Sequence, residues 1–152
     1  MLVSLSLMRE PDDVSGEIID AALGIHRRIG PGLLESVYET LLAGELSRRG
    51  LAVERQKVAT FDIGNFHFAH GFRLDLLVER AVAVELKSVE QLQHVHRAQL
   101  LTYIRLLHLP IGLLINFGGL TLKEGLVRLV NNLPASPTRR LIIDRRDPRE
   151  AR

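Results

Sequence analysis

The sequence predicts an α/β domain with a mixed central β-sheet flanked by helices. Three observations carry that assignment. Two stretches with helical spacing of apolar residues open the chain. Two apolar runs, Leu74–Val78 and Ala81–Leu86, then flank a polar Glu79-Arg80 turn and read as a tight β-hairpin. Finally, an amphipathic segment separates that hairpin from a wholly apolar run at Ile111–Phe117. Strand, helix, strand in this order makes a right-handed crossover between parallel strands.

The elements follow in order. Pro11-Asp12-Asp13-Val14-Ser15 reads as a helix entry, with Asp or Ser as the N-cap. Val14, Ile18, Ile19, Ala22, Leu23 and Ile29 continue at helical spacing, giving an amphipathic helix to about Arg28. Gly30-Pro31-Gly32 ends it. A second helix, Leu33 to Arg49, turns Leu34, Val37, Tyr38, Leu41, Leu42 and Leu46 inward and stops at Gly50. Leu51 to Ile63 reads as an extended flank strand, Gly64-Asn65 as a turn, and Phe66–Phe68 as the return. His70 to Arg73 leads into the central hairpin. A third helix runs from His94 to His108 with Val95, Leu100, Leu101, Ile104 and Leu107 as its apolar set. Leu120 to Asn132 holds either one more strand or a short helix.

The chain has 152 residues, enough for one domain with a substantial core. The reading divides it into a flexible extension (1–10), a folded domain (11–133) and a Pro/Arg-rich tail (134–152). Apolar residues make up 46% and charged residues 25%, ordinary for a globular protein. With no cysteine there is no disulfide, thiolate metal site or cysteine nucleophile, and a cytoplasmic setting is the default expectation. Met1–Met8 is apolar but lacks a basic flank and is too short for a signal peptide or membrane span. The net charge of +2 is compatible with a nucleic-acid partner without pointing to one. Much of the basic excess lies in the tail, at Arg139, Arg140, Arg145, Arg146, Arg149 and Arg152. A tail of this kind is usually solvated.

Chemistry enters at the hairpin. Asp75, Glu85 and Lys87 interrupt otherwise apolar strands, and residues two apart in a strand share a face, so Glu85 and Lys87 point the same way. Ala81–Val84 has the continuous small and β-branched pattern of a strand covered on both faces. Buried charge is costly unless paired or bound to a metal. The three residues therefore form either a cation site beside an ammonium or a cross-bracing Glu–Lys pair with Asp75 as a solvated strand end. Glu35, in the first turn of the second helix, is accounted for by the helix dipole unless it approaches that cluster. Gln99 and Tyr103 are four apart and share a helix face, which a surface hydrogen bond explains. His67 and His70 have no further ligand nearby and read as exposed hairpin residues. The sequence contains no internal repeat, glycine-rich phosphate loop or serine-elbow motif.

Five stretches in order resemble a known family. They are Gly32-Leu-Leu-Glu35-Ser-Val-Tyr38, Gly71-Phe-Arg-Leu-Asp75-Leu-Leu-Val78, Val84-Glu85-Leu-Lys87-Ser88, Ala98-Gln99-Leu-Leu-Thr-Tyr103 and Gly112-Leu-Leu-Ile-Asn-Phe117. Over roughly residues 14 to 132 the chain is similar to the PD-(D/E)XK nuclease superfamily, and more narrowly to its small bacterial GxxExxY family. Leu74 stands where the superfamily's name places proline, a position that varies among its members. The resemblance implies a restriction-endonuclease-like core and Mg²⁺- or Mn²⁺-dependent hydrolysis of DNA phosphodiesters, with RNA as the alternative substrate. It implies that Asp75, Glu85 and the Leu86 backbone carbonyl hold the ion, with Glu35 joining through water. Lys87 would position the attacking water, Gln99 and Tyr103 would orient the lysine or the phosphate, and Arg73 would contact phosphate. No membrane partner is implied, and a homodimer is compatible with the class. The competing function is a nucleic-acid-binding or assembly module that keeps the fold without turnover. A small-molecule or regulatory role is a third.

Overall fold

A computed structural model describes residues 9–132. The expected flexible start falls mostly outside these residues, and the Pro/Arg-rich tail falls wholly outside them. The elements are α1 (Pro11–Ile29), α2 (Glu35–Arg48), β1 (Val53–Ile63), β2 (Phe66–Val78), β3 (Val82–Lys87), α3 (His94–Leu106), β4 (Ile111–Asn116) and β5 (Leu126–Val130). The segment at Leu120–Asn132 contains both of its alternatives, a 3-10 turn at Lys123–Gly125 and then β5.

The five strands form one sheet in the order β1-β2-β3-β4-β5. Only β3 and β4 run parallel, as a strand–helix–strand crossover requires; the other neighbours are antiparallel. β3 thus occupies the middle of the sheet, and its Val82, Ala83 and Val84 are fully buried. The expected mixed α/β sheet is present. α1 and α2 cover one face through Ile18, Ile25, Tyr38 and Leu42 against Leu76, Val84, Leu113 and Ile115. α3 covers the other through Leu100 and Ile104 against Ala83 and Leu114. A Cβ at Gly112 would sit 3.0 Å from both Ile104 and Leu100, so the bare glycine lets α3 lie close on β4.

Several helix details differ from the sequence reading. α1 starts at Pro11 with Glu10 as its N-cap residue, so neither Asp nor Ser caps it. Proline fits the first helical position because its missing N–H has no intrahelical partner there. Asp12 instead pairs with Arg128 of β5. α2 buries a narrower stripe than expected: Tyr38, Leu42 and Leu46 point inward, joined by Glu39 and Ala43. Leu34 is 74% exposed, and Val37 and Leu41 are exposed as well. The stripe rotates because Tyr38 is fixed from both sides. Its ring stacks on Phe117 at 4.4 Å. Its hydroxyl donates to the Gly30 carbonyl at 2.6 Å and accepts from the Leu33 amide at 3.3 Å. α3 ends at Leu106 because His108 turns left-handed (φ +55°), and Val95 is exposed at its start.

Tyr38 therefore anchors the Gly30–Leu34 loop that carries Gly32 at φ +114°, where a side chain would be strained. Tyr38→Phe keeps the ring stack and removes both loop hydrogen bonds. We expect it to lower unfolding free energy by about 1–2 kcal/mol, measured by urea denaturation, with the slope unchanged.

Candidate functional site

The β2–β3 ladder runs only from Val78↔Val82 to Leu76↔Val84, and one residue further the strands part. Asp75 and Glu85 stand at this fork. Their side chains take over the pairing that the ladder abandons. The Asp75 amide donates to Glu85 Oε1 at 3.3 Å, and the Leu86 amide donates to Asp75 Oδ2 at 2.8 Å. A buried N–H left without a partner costs about as much as a lost hydrogen bond. The backbone thereby fixes two carboxylates next to each other in a partly buried position.

The electrostatic consequence is large. Burial, then the neighbouring Asp75 charge, pushes Glu85 up to about 8, with Lys87 opposing the shift. Burial also raises Asp75; the Leu86 amide opposes that shift, and the charges of Glu39 and Glu35 add to it. Two partly buried carboxylates that resist ionisation together form a site that a divalent cation can relieve.

A cavity of about 520 Å³ opens on this fork, lined by Glu35, Glu39, Gln56, Asp75, Leu86 and Ser88 among others. Glu35 is the first residue of α2 and accepts from the Ser88 amide at 3.3 Å, while Ser88 Oγ donates to the Leu33 carbonyl at 2.6 Å. The helix dipole explains why an acid suits this position. The tertiary fold then turns that acid toward the same cavity as Asp75 and ties it to the residue after Lys87. Lys87 is half-buried near the end of β3, within electrostatic reach of Glu85. Asn116 steadies the following loop, accepting from the Val89 amide at 3.0 Å and donating to the Val89 carbonyl at 2.9 Å.

On α3, Gln99 Nε2 donates to the Tyr103 hydroxyl at 2.6 Å, the hydrogen bond that shared-face spacing allows. Tyr103 also stacks on Phe72 of β2 at 3.8 Å. Burial and then the Glu85 charge raise its phenol above the usual range, so the ring lies in the field of the fork. Arg73 is exposed on β2, two residues before Asp75. His67 and His70 are exposed, and His67 Nδ1 lies 2.6 Å from Asp62 Oδ1, outside the site.

Two cavity residues escaped the sequence reading. Glu39 lies one helical turn after Glu35 and is only 7% exposed. That i,i+4 spacing was a legible signal. Its Oε2 accepts from Arg55 Nη2 at 2.8 Å and its Oε1 accepts from Gln56. Gln56 Nε2 also reaches Asp75 Oδ1 at 3.3 Å, and nothing in the local sequence signals this.

The donors at the fork are all oxygen, as a hard Mg²⁺ or Mn²⁺ ion prefers, and the paired acids supply the negative charge it needs. The residues fit such an ion. Among the described residues no three His, Asp or Glu side chains form a ready-made ligand cluster, so water and backbone oxygen would complete the shell. Among the described residues no helix is long and apolar enough to cross a membrane.

The sequence model of the PD-(D/E)XK nuclease superfamily matches residues 12–129, most of the chain. The chain belongs to that superfamily. No curated protein and no solved structure matches it.

The raised acid has a signed effect on stability. Glu85 ionises near 4.5 when unfolded and about 8 when folded, so between these values the native state holds a proton that the unfolded chain lacks. Stability from this group is lost as pH rises through that window and then levels off. In EDTA, wild type should therefore lose Tm between about pH 5 and 8 relative to Glu85→Gln. The variant should be at least about 3 °C more stable at pH 8. Parallel Tm profiles of the two proteins would show that Glu85 is not strained by its surroundings.

Proposed function

We propose that this superfamily member is a Mg²⁺- or Mn²⁺-dependent nuclease that hydrolyses DNA phosphodiesters, and that within the superfamily it is a GxxExxY protein. One observation carries the reading: the carboxylates of Asp75 and Glu85 meet at the strand fork beside a cavity that Glu35 also lines. Asp75, Glu85 and the Leu86 carbonyl would hold the ion, with Glu35 reaching it through water. When bound, a divalent ion activates water and offsets charge developing on phosphate.

The chain's own side chains supply the remaining work. The Lys87 ammonium, within electrostatic reach of Glu85, donates to the attacking water or to a phosphate oxygen. Gln99 and Tyr103 form one polar unit on α3, rigid because Phe72 backs the ring, and orient that phosphate. Arg73, exposed two residues before Asp75, offers a guanidinium to the phosphate of a neighbouring nucleotide. Acids held by backbone amides are pre-organised, and pre-organisation is where much of the rate enhancement for phosphoryl chemistry arises. A cytoplasmic location accords with this substrate.

Cleavage should be assayed on linear, circular, single-stranded and branched DNA, and on RNA, with Mg²⁺ or Mn²⁺. Lys87→Ala should lose at least about 100-fold in rate while keeping its fold and its Mn²⁺ affinity. Equal cleavage by wild type and this variant would exclude turnover at this site and leave the binding-module function. Separately, Mg²⁺ at about 100 times its dissociation constant should stabilise wild type by about 2.7 kcal/mol, and Asp75→Asn not at all. No Mg²⁺-dependent rise in wild-type Tm would refute the cation site.

A further inference from the structure

Gln56 lies in the middle of β1, yet its φ is +48°, in the left-handed region. Its neighbours Arg55 and Lys57 pair normally with Leu76 and Leu74, so the ladder skips the single position opposite Asp75. For a residue other than glycine or asparagine this conformation is strained. Such strain persists where the surroundings reward it.

The reward is visible at the carboxamide. Gln56 Nε2 donates to Asp75 Oδ1 at 3.3 Å and, on its other side, to Glu39 Oε1. With acceptors on both sides, the amide nitrogen must face them. Glu39 is itself held by Arg55, through Nε at 3.2 Å and Nη2 at 2.8 Å, and Arg55 Nη2 also bonds Thr40 Oγ1 at 2.9 Å. A continuous chain of contacts therefore runs from α2 and β1 to Asp75, whose second oxygen takes the Leu86 amide. An ionised carboxylate offers about four lone-pair sites, so two such bonds orient Asp75 and leave room for an ion. The neutral donor matters too. A lysine or arginine here would satisfy both acids but would repel a divalent cation.

We propose that Gln56 is a positioning residue that holds Asp75 in its ion-binding orientation by bridging it to Glu39, at the expense of a strained backbone. The proposal rests on the cation reading of the fork and adds a residue that this reading does not contain. It follows that relieving the strain and losing the bridge should have opposite signs in two measurements.

Gln56→Asn tests this on the full chain. Asparagine tolerates the left-handed backbone, but its side chain is one methylene too short to span both acids. Mn²⁺ affinity is read from the EPR signal of the free ion, and Tm is read in EDTA. Gln56→Asn should bind Mn²⁺ at least about tenfold more weakly than wild type, with a metal-free Tm equal to or above it. Gln56→Gly should do the same and serves if the asparagine variant fails to fold. Variant affinity within about threefold of wild type would overturn the proposal, because second-shell partners of ligating carboxylates contribute more than that. Weaker binding accompanied by a clear fall in metal-free Tm in both variants would also overturn it, since Gln56 would then be structural only. Wild type failing to bind Mn²⁺ at all would sink the cation reading first and this proposal with it.

Discussion

Two neighbouring strands that stop pairing after Val84 set the conditions for everything at the site. A regular ladder would have satisfied the Asp75 and Leu86 amides with backbone carbonyls. Because the strands diverge, Asp75 and Glu85 supply the acceptors instead. Their carboxylates are thus committed to positions that solvation alone would never select, close together and largely removed from water. The same bonds that complete the fold bring together two acids that resist ionising at once.

The surrounding elements steady this arrangement without neutralising it. The Tyr38 ring and hydroxyl hold the loop that delivers Glu35, and Asn116 pins the loop that follows Lys87. α3 lies close on β4 and brings Tyr103 against Phe72 at the opposite side of the fork. Arg55 on β1 is occupied by Glu39. Among the described residues that line the cavity, Glu35, Glu39 and Asp75 are acids and none is a cation, while Lys87 opposes the shift of Glu85.

Superfamily membership and the local physics support each other but answer different questions. The match over residues 12–129 covers the sheet and all three helices, so it accounts for the topology. It does not say what these particular carboxylates do; the case for Asp75 and Glu85 rests on their burial and hydrogen bonds, and on the cavity that Asp75 lines with Glu35. The GxxExxY spacing acquires a physical meaning in the same way. Glycine allows the loop conformation, glutamate opens α2 toward the cavity, and tyrosine clamps the loop from below.

The sequence by itself determined four of the five strands, their hairpin and crossover order, and the suspicion attached to Asp75, Glu85 and Lys87. These are local properties: apolar periodicity, turn residues, and charges placed where a central strand leaves little water. It also placed Glu35 at a helix start, with no means of choosing between dipole and cavity. Only the tertiary structure decided that Glu35 lines the same cavity as Asp75, that Val37 and Leu41 turn outward while Glu39 turns in, and that Gln56 adopts a left-handed backbone. Each of these depends on contacts between residues far apart in the chain, Tyr38 with Phe117 or Gln56 with Glu39 and Asp75. Side-chain periodicity reports which face of an element is apolar; it carries no record of what the element meets across the fold.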